Sequence, residues 1–213
     1  MTVPPTSLRF DTDLPLVSYF GTDAAVIPDQ VITTGQVERI VALRGETAIL
    51  ARCISAEYDN YDSFDPGSAE WDLRPIKVII SSPSAKEARD IAGRGIDASK
   101  KATFGEFLKL RSDREGMGDL IVEIPDGTIT NVSGSGSTWA IAVSYPDRVL
   151  TEGLTNLPVV AEYGIVFDSG VPTILGLEKD EYQIYRVQEV KRDRHPFVPV
   201  TKLSAYLQEV PGV

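Results

Sequence analysis

Residues 182–190 carry the pattern that most constrains the fold of this chain. From Tyr182 to Val190 the residues Tyr, Ile, Arg, Gln and Val alternate with Gln, Tyr, Val and Glu. A period of two is typical of a β-strand, because successive side chains point to opposite faces of the sheet. Apolar stretches at 139–145 and 158–167 predict two further strands. The second half of the chain is therefore predicted to be β throughout.

Two β-hairpins are predicted from turn residues that lie between apolar runs. Residues 37–43 and 48–56 flank an Arg-Gly-Glu-Thr sequence that is a turn candidate. Residues 120–124 and 128–132 flank Pro-Asp-Gly, and an Asp-Gly pair suits turns that need positive φ. The serine- and glycine-rich residues 133–137 predict a flexible tip or a short linker.

One helix is predicted in the first half of the chain. Residues 76–80 form a short apolar strand, and Ser84 and Glu87 follow with the spacing of a capping box. The helix is predicted over 84–92, because small apolar residues recur on one face and glycines follow it.

The C-terminal region is predicted to contain a turn and a returning strand. Residues 191–196 are highly charged and predict a turn, in which His195 precedes a proline and is expected to be exposed and structural. The apolar spacing of 201–210 fits either a helix face or a strand. A strand is favoured, because it would pair back on the strand at 182–190.

These elements predict a mainly β protein with one short helix and an extended N-terminal arm. The arm is predicted over residues 1–36, where prolines punctuate short apolar pieces. Such an arm would either contact a neighbouring molecule or wrap around its own domain.

The chain has few side chains suited to metal or nucleophilic chemistry. His195 and Cys53 are its only histidine and cysteine. This argues against a zinc cluster and excludes an internal disulfide, and Cys53 is expected to be a small buried side chain in a strand. No catalytic, cofactor-binding or metal-binding residue is assigned. Without an apolar run of roughly 18 residues or a signal peptide, a cytosolic origin is expected.

The formal charge of the chain is −10. Such a charge argues against wrapping a nucleic-acid backbone, since that binding depends on lysine and arginine contacts to phosphates. Acidity most often serves solubility alone. A second interpretation is an acidic wall past which DNA slides without binding.

Six acids lie close together in the segment 57–72. Calcium would need clustered carboxylates, but the spacing is not that of an EF-hand loop. A glycosidase would need two of these acids about 5 to 9.5 Å apart across a cleft. A polar loop is the plainer interpretation of this segment. The acids are Glu57, Asp59, Asp62, Asp65, Glu70 and Asp72.

A second group of charges is basic and surrounds the predicted helix. A solvated helix face is the favoured interpretation, and a contact to a phosphate or an acidic partner is the alternative. The residues are Arg89, Arg94, Lys100 and Lys101.

Five short stretches together carry a family resemblance: Ile76–Ile80, Ser84–Arg89, Gly95–Lys100, Asp119–Val122 and Tyr182–Val190. They resemble the strands, turn and projecting helix of head-closure (head–tail connector) proteins of tailed phages, whose core is a small β-barrel. The resemblance covers less than half of the chain. It implies that the β core is a small β-barrel or sandwich over 37–122, with an inserted β subdomain over 123–180 and closing strands over 181–213.

The resemblance implies a structural virion protein rather than an enzyme. It implies a ring-forming neck or tail subunit that contacts portal, adaptor or tail proteins around the DNA channel, made in the host cytoplasm and located in the virion. Closed rings arise from head-to-tail interfaces between copies. The alternative is a non-viral β-rich binding module for a carbohydrate or protein partner, with an aromatic contact patch of Tyr58, Tyr61, Phe64 and Trp71.

Overall fold

The computed structural model describes residues 34–55, 69–105, 108–112, 118–150, 157–168, 170–195 and 198–210. This part of the chain is mainly β, as the sequence predicts. Its helices are α1 (Thr34–Arg44) and α2 (Ala85–Gly93). Its strands are β1 (Glu46–Ser55), β2 (Glu70–Ser81), β3 (Lys100–Phe104), β4 (Leu120–Glu123), β5 (Thr128–Ser135), β6 (Thr138–Leu150), β7 (Leu157–Asp168), β8 (Val171–Leu175), β9 (Gln183–His195) and β10 (Val198–Val210).

Six of the strands form a closed antiparallel barrel in the order β1-β2-β3-β10-β9-β4. The pairing of β4 with β1, which sets Val122 opposite Ile49, closes the ring of strands. Side chains fill the barrel interior, so its centre is a packed core. These side chains include Leu50, Ile76, Val78, Phe104, Ile121, Tyr185, Val187, Leu203 and Leu207.

The other four strands form a second sheet in the order β5-β6-β7-β8. Its inner face covers the outer side of barrel strands β1, β2, β4 and β9, and the two layers share one hydrophobic core. Trp71 of β2 stacks on Phe167 of β7, with ring centroids 4.2 Å apart and planes 9° from parallel. The shared core also contains Ile49, Leu73, Leu120, Val122, Ile141, Val143, Ile165, Ile174 and Ile184.

The tip between β5 and β6 is bonded to the barrel. Gly134 and Gly136 have φ values of 141° and 67°, which residues with a Cβ rarely adopt. The Gly136 carbonyl accepts hydrogen bonds from the Trp71 amide at 3.1 Å and from the Trp139 indole at 3.2 Å. The predicted tip is therefore a hairpin end that meets β2.

Helix α2 begins with the predicted capping box. The Ser84 hydroxyl accepts from the Glu87 amide, and the Glu87 carboxylate accepts from the Ser84 amide at 3.1 Å. Ile91 is buried and packs with Ile96 against Tyr206 of β10. The helix thereby covers part of the barrel wall, and the prediction of a helix over 84–92 is confirmed.

Residues 37–43, predicted as a strand, lie in helix α1. Val37 and Val41 are one helical turn apart and both are buried, whereas Leu43 is 75% exposed. The Gly45 amide donates to the Val41 carbonyl at 2.7 Å, and a Cβ on Gly45 would collide with that carbonyl. The predicted hairpin is therefore wrong in its first strand, because the apolar spacing is helical.

The predicted hairpin over 120–132 is also wrong. β4 pairs with β1 and β9, whereas β5 pairs with β6, so the Pro-Asp-Gly turn connects two different sheets. The Gly127 amide donates to the Ile124 carbonyl at 3.1 Å. A Cβ on Gly127 would collide with Val143, so glycine is needed there for close packing of the layers.

The predicted charged turn at 191–196 is wrong as well, because β9 continues to His195. The predicted C-terminal strand is confirmed as β10, which pairs with β9 along most of its length.

The arm predicted over 1–36 lies outside the described residues, except for residues 34–36 at the start of α1. The segment predicted as an insert, 123–180, contains β5 to β8. Among the described residues no helix is long and apolar enough to cross a membrane.

A buried carboxylate fixes the chain that leads into β4. Asp119 is 1% exposed and accepts two hydrogen bonds from the Arg52 guanidinium, at 2.9 and 2.6 Å. It also accepts from the Arg111 amide at 2.8 Å, while Arg52 donates to the Lys109 carbonyl. The Asp119 carbonyl in turn accepts from the Val187 amide at 2.9 Å. The Asp119 side chain thus links β1 to the segment 108–112, and its backbone carbonyl adds β9.

Replacing Asp119→Ala is expected to lower the free energy of unfolding by about 3 kcal/mol, because it leaves a partly buried guanidinium and a backbone amide without their acceptor. Urea denaturation measures this loss. Asp90→Ala, which removes an exposed carboxylate from α2, is the matched control and should change stability by less than about 0.5 kcal/mol. Equal effects of the two substitutions would contradict the role given to Asp119.

Candidate functional site

The acidic segment predicted from the sequence is only partly described. Residues 57–65, with Tyr58, Tyr61, Phe64 and three of the aspartates, lie outside the described residues. Trp71 is 1% exposed and belongs to the shared core, so its predicted place in an exposed aromatic patch is wrong.

Glu70 and Asp72 do not face each other across a cleft. Both are exposed and stand two residues apart on β2, so they lie on one side of a single strand. Asp72 is in register with Arg52, and its charge helps to raise the pKa of that guanidinium after the larger effect of the hydrogen bond that Arg52 donates to Asp119. In the described segments no three histidine, cysteine, aspartate or glutamate side chains are placed to hold a metal ion.

Cys53 and His195 lie on strands. Cys53 is half-buried on β1 and packs against the shared core, and burial raises the pKa of its thiol. A raised pKa leaves less of the nucleophilic thiolate at neutral pH. His195 is the last residue of β9.

The basic residues around α2 bond within the molecule. Arg94 pairs with Glu189 of β9 at 2.6 Å, and Lys101 pairs with Glu87 of the capping box. Hydrogen bonds from Lys101 and then from Ser84 together lower the pKa of Glu87 to about 2. Arg89 donates to the Ala85 carbonyl of its own helix at 3.2 Å. These contacts favour a structural role for the basic stretch over a phosphate contact.

The structure instead brings two other carboxylates together at one end of the barrel. Glu46 begins β1 and Glu123 ends β4, and these strands are neighbours in the barrel. Glu123 is half-buried, and its carboxyl lies close enough to that of Glu46 for the two to share a proton. A hydrogen bond between two carboxyl groups needs a proton on one of them.

The surroundings of Glu123 keep that proton bound near neutral pH. Burial is the largest cause, followed by the hydrogen bond and negative charge of Glu46, and together they raise the pKa of Glu123 to about 7. Tyr185 and Lys100 act in the opposite direction. Tyr185 donates to the Gln183 side chain, and burial together with the Glu123 charge raises the pKa of its phenol.

An open cleft lies beside this carboxyl pair, between the barrel and the second sheet. Its volume is ≈ 240 Å³, and Glu46, Lys77 and Asp126 are the charged residues on its wall. Lys77 donates to the Gly45 carbonyl at 3.4 Å. Of the two carboxyl groups, that of Glu46 lines the cleft, beside a lysine that is bonded to the backbone.

The sequence interpretation did not single out Glu46 or Glu123. The available signal was weak: Glu123 directly follows the apolar run Leu120–Val122 and Glu46 directly precedes Thr47–Leu50. An acid at the end of an apolar strand lies at the end of a sheet, but only the closure of β4 against β1 makes these two acids neighbours.

The Glu123 carboxyl is expected to make stability fall as pH rises. The pKa of Glu123 is raised in the folded protein. Its contribution to the free energy of unfolding is therefore complete below the ordinary glutamate pKa of about 4.5 and is lost as pH rises through about 7. Glu123→Gln cannot ionise and should be more stable than wild type at pH 8 by on the order of 1 kcal/mol, a value reduced for solvent screening of this half-exposed group.

Urea denaturation across this pH range tests the Glu123 prediction. Glu38→Gln, an exposed acid on α1, is the control and should keep the wild-type pH profile. The prediction is wrong if the difference in the free energy of unfolding between Glu123→Gln and wild type does not grow as pH rises.

The chain matches no family model, no curated protein and no solved structure.

Proposed function

We propose that this protein is a structural virion subunit of a tailed phage, which forms a ring in the neck or tail and joins neighbouring virion proteins around the DNA channel. The observation that carries the proposal is where the five resembling stretches lie. Ile76–Ile80 belongs to β2, and Asp119–Val122 enters β4. Tyr182–Val190 covers most of the described part of β9, which lies between β4 and β10 and completes the barrel.

The other two stretches form the helix that lies against the barrel wall and its connection to β3. Ser84–Arg89 is the first part of α2, and Gly95–Lys100 leads from this helix into β3. The Ser99 amide donates to the Leu207 carbonyl of β10 at 2.9 Å, so the connection is bonded to the barrel wall. A strand, a capped helix and a return to the barrel are the parts on which the resemblance rests.

A structural role also agrees with how the described residues use their polar groups. The barrel interior is packed with apolar side chains, and two basic residues around α2, Arg94 and Lys101, are paired with acids of the same molecule. The net charge of −10 suits a wall past which DNA moves, because phosphates are repelled by a surface of like charge. Strand and loop contacts between copies would then supply assembly.

The binding-module alternative is weakened by the position of Trp71. This indole is buried against Phe167 and cannot contact a ligand from the surface. The other aromatic residues of that patch lie outside the described residues. An experiment is therefore needed to distinguish a binding module from a ring-forming subunit.

The mass of the purified full chain, measured by light scattering together with negative-stain images, tests the proposed function. A closed ring of one fixed mass is expected, because head-to-tail contacts that close define a single copy number. A protein that stays monomeric at every concentration and binds an oligosaccharide or peptide saturably would contradict the proposal and favour the binding module.

A further inference from the structure

The hairpin of β9 and β10 extends beyond the other strands of the barrel. β4 pairs with β9 only as far as Arg186, and β3 pairs with β10 only from Leu203 onward. Among the described strands, residues 191–195 of β9 therefore pair with β10 alone, and residues 198–202 of β10 pair with β9 alone. These two segments form a two-stranded ribbon, which is called the ribbon below.

The ribbon projects from one end of the barrel. At about 3.4 Å per residue, it extends about 10 Å past the last pairing with β3 and about 30 Å past the last pairing with β4. Helix α2 lies at the opposite end, because it connects the end of β2 to the start of β3. The ribbon and α2 therefore mark the two ends of the barrel.

The ribbon is basic in an acidic chain. It carries four basic residues and one acid, a formal charge of +3, whereas the whole chain carries −10. Lys191 and Arg192 are both exposed, and as neighbours in a strand they lie on opposite faces. The ribbon therefore has cations on both of its faces. Its basic residues are Lys191, Arg192, Arg194 and Lys202, and its acid is Asp193.

Acids are present at the same end of the barrel. Glu70 and Asp72 are exposed at the start of β2, and the connection before β2 carries further acids outside the described residues. β3 separates β2 from β10, which places two strand spacings, roughly 10 Å, between these acids and the ribbon. The screening length of salt at physiological ionic strength is about 8 Å, so the ribbon presents its positive charge with little cancellation.

We propose that the ribbon binds double-stranded DNA by entering the major groove. That groove is about 12 Å wide and admits a two-stranded β-ribbon. A phosphate backbone borders the groove on each side, so cations on both faces of the ribbon have phosphates to contact. A flat acidic protein surface would contact one face and leave the cations of the other unused. The observed distribution of charge therefore favours DNA over an acidic protein.

The expected contact is local and independent of base sequence. It differs from wrapping a nucleic acid, which the net charge of −10 disfavours, because the ribbon alone touches the duplex. About three phosphate contacts predict a dissociation constant on the order of 10 µM at 25 mM salt and a log–log salt slope of about −3. The proposal goes beyond the proposed function and does not depend on the formation of a ring.

Fluorescence anisotropy of a labelled DNA duplex of about 20 base pairs, titrated with the full chain, tests the ribbon. Wild type is expected to bind, and its affinity should fall about thirtyfold between 25 and 75 mM salt. The double substitution Arg192→Glu with Arg194→Glu replaces two cations by anions. It should weaken binding at least about tenfold and make the salt slope shallower.

The matched control is Lys86→Glu with Arg89→Glu, which makes the same change of charge on exposed residues of α2 at the opposite end of the barrel. It should weaken binding by less than about threefold, because distant charges are screened. Circular dichroism checks the folding of each variant, and Arg192→Gln with Arg194→Gln is decisive where the charge reversal does not fold. Wild type that does not bind at 25 mM salt overturns the proposal, as do ribbon variants that bind like the control.

Two further ligands test the assignment to the DNA major groove. An RNA duplex of the same sequence should bind at least about threefold more weakly, because the major groove of A-form RNA is deep and narrow. Equal binding of the two duplexes would overturn entry into the groove. A polyglutamate peptide that displaces DNA at equal charge would overturn the assignment to DNA and give the ribbon an acidic protein partner.

These results also separate the ribbon from the proposed function. Rings that form in a protein without affinity for DNA would remove the ribbon proposal alone. Binding of DNA through the ribbon, in a protein that never forms a ring, would support the ribbon and contradict the proposed function.

Discussion

The apolar outer wall of half the barrel is the constraint on which the rest of the structure depends. Strand β4 is buried on both sides, with Ile121 in the barrel and Leu120 and Val122 outside it. A barrel alone would leave that wall in water, at roughly 1.5–3 kcal/mol for each large side chain. The second sheet covers the wall, and Trp71 stacked on Phe167 lies at the centre of the contact. Strand β2 therefore contributes to both cores. Trp71 and Leu73 pack in the core shared with the second sheet, whereas the later residues Ile76 and Val78 face the barrel interior.

Local patterns in the sequence were sufficient for much of the fold. The capping box at Ser84 and the apolar runs that became β1, β4, β6, β7 and β9 depend on near neighbours in the chain. Helix α1 was missed because Val, Ile and Leu are common in strands, although Val37 and Val41 have helical spacing. The turn at Gly127 was recognised, but its two flanking strands belong to different sheets. Strand β8 was not predicted, because it is short and contains Pro172.

The candidate sites were harder to predict than the fold. Sequence reasoning favoured the six acids that lie close together at 57–72. The two of them that the structure describes, Glu70 and Asp72, are separate exposed residues of one strand. The observed carboxyl pair joins Glu46 and Glu123, which become neighbours only when the barrel closes.

The pairing of β4 with β9 has a consequence for the synthesis of the protein. Between these strands the chain builds the whole second sheet, so the ring of strands cannot close on the ribosome until residue 210 has emerged. Contacts between residues distant in the chain form slowly. During translation, strands β1 to β4 therefore expose apolar side chains on two sides while their final neighbours are still missing. A nascent chain in that state has the features that attract chaperones, and slow folding exposes it to aggregation.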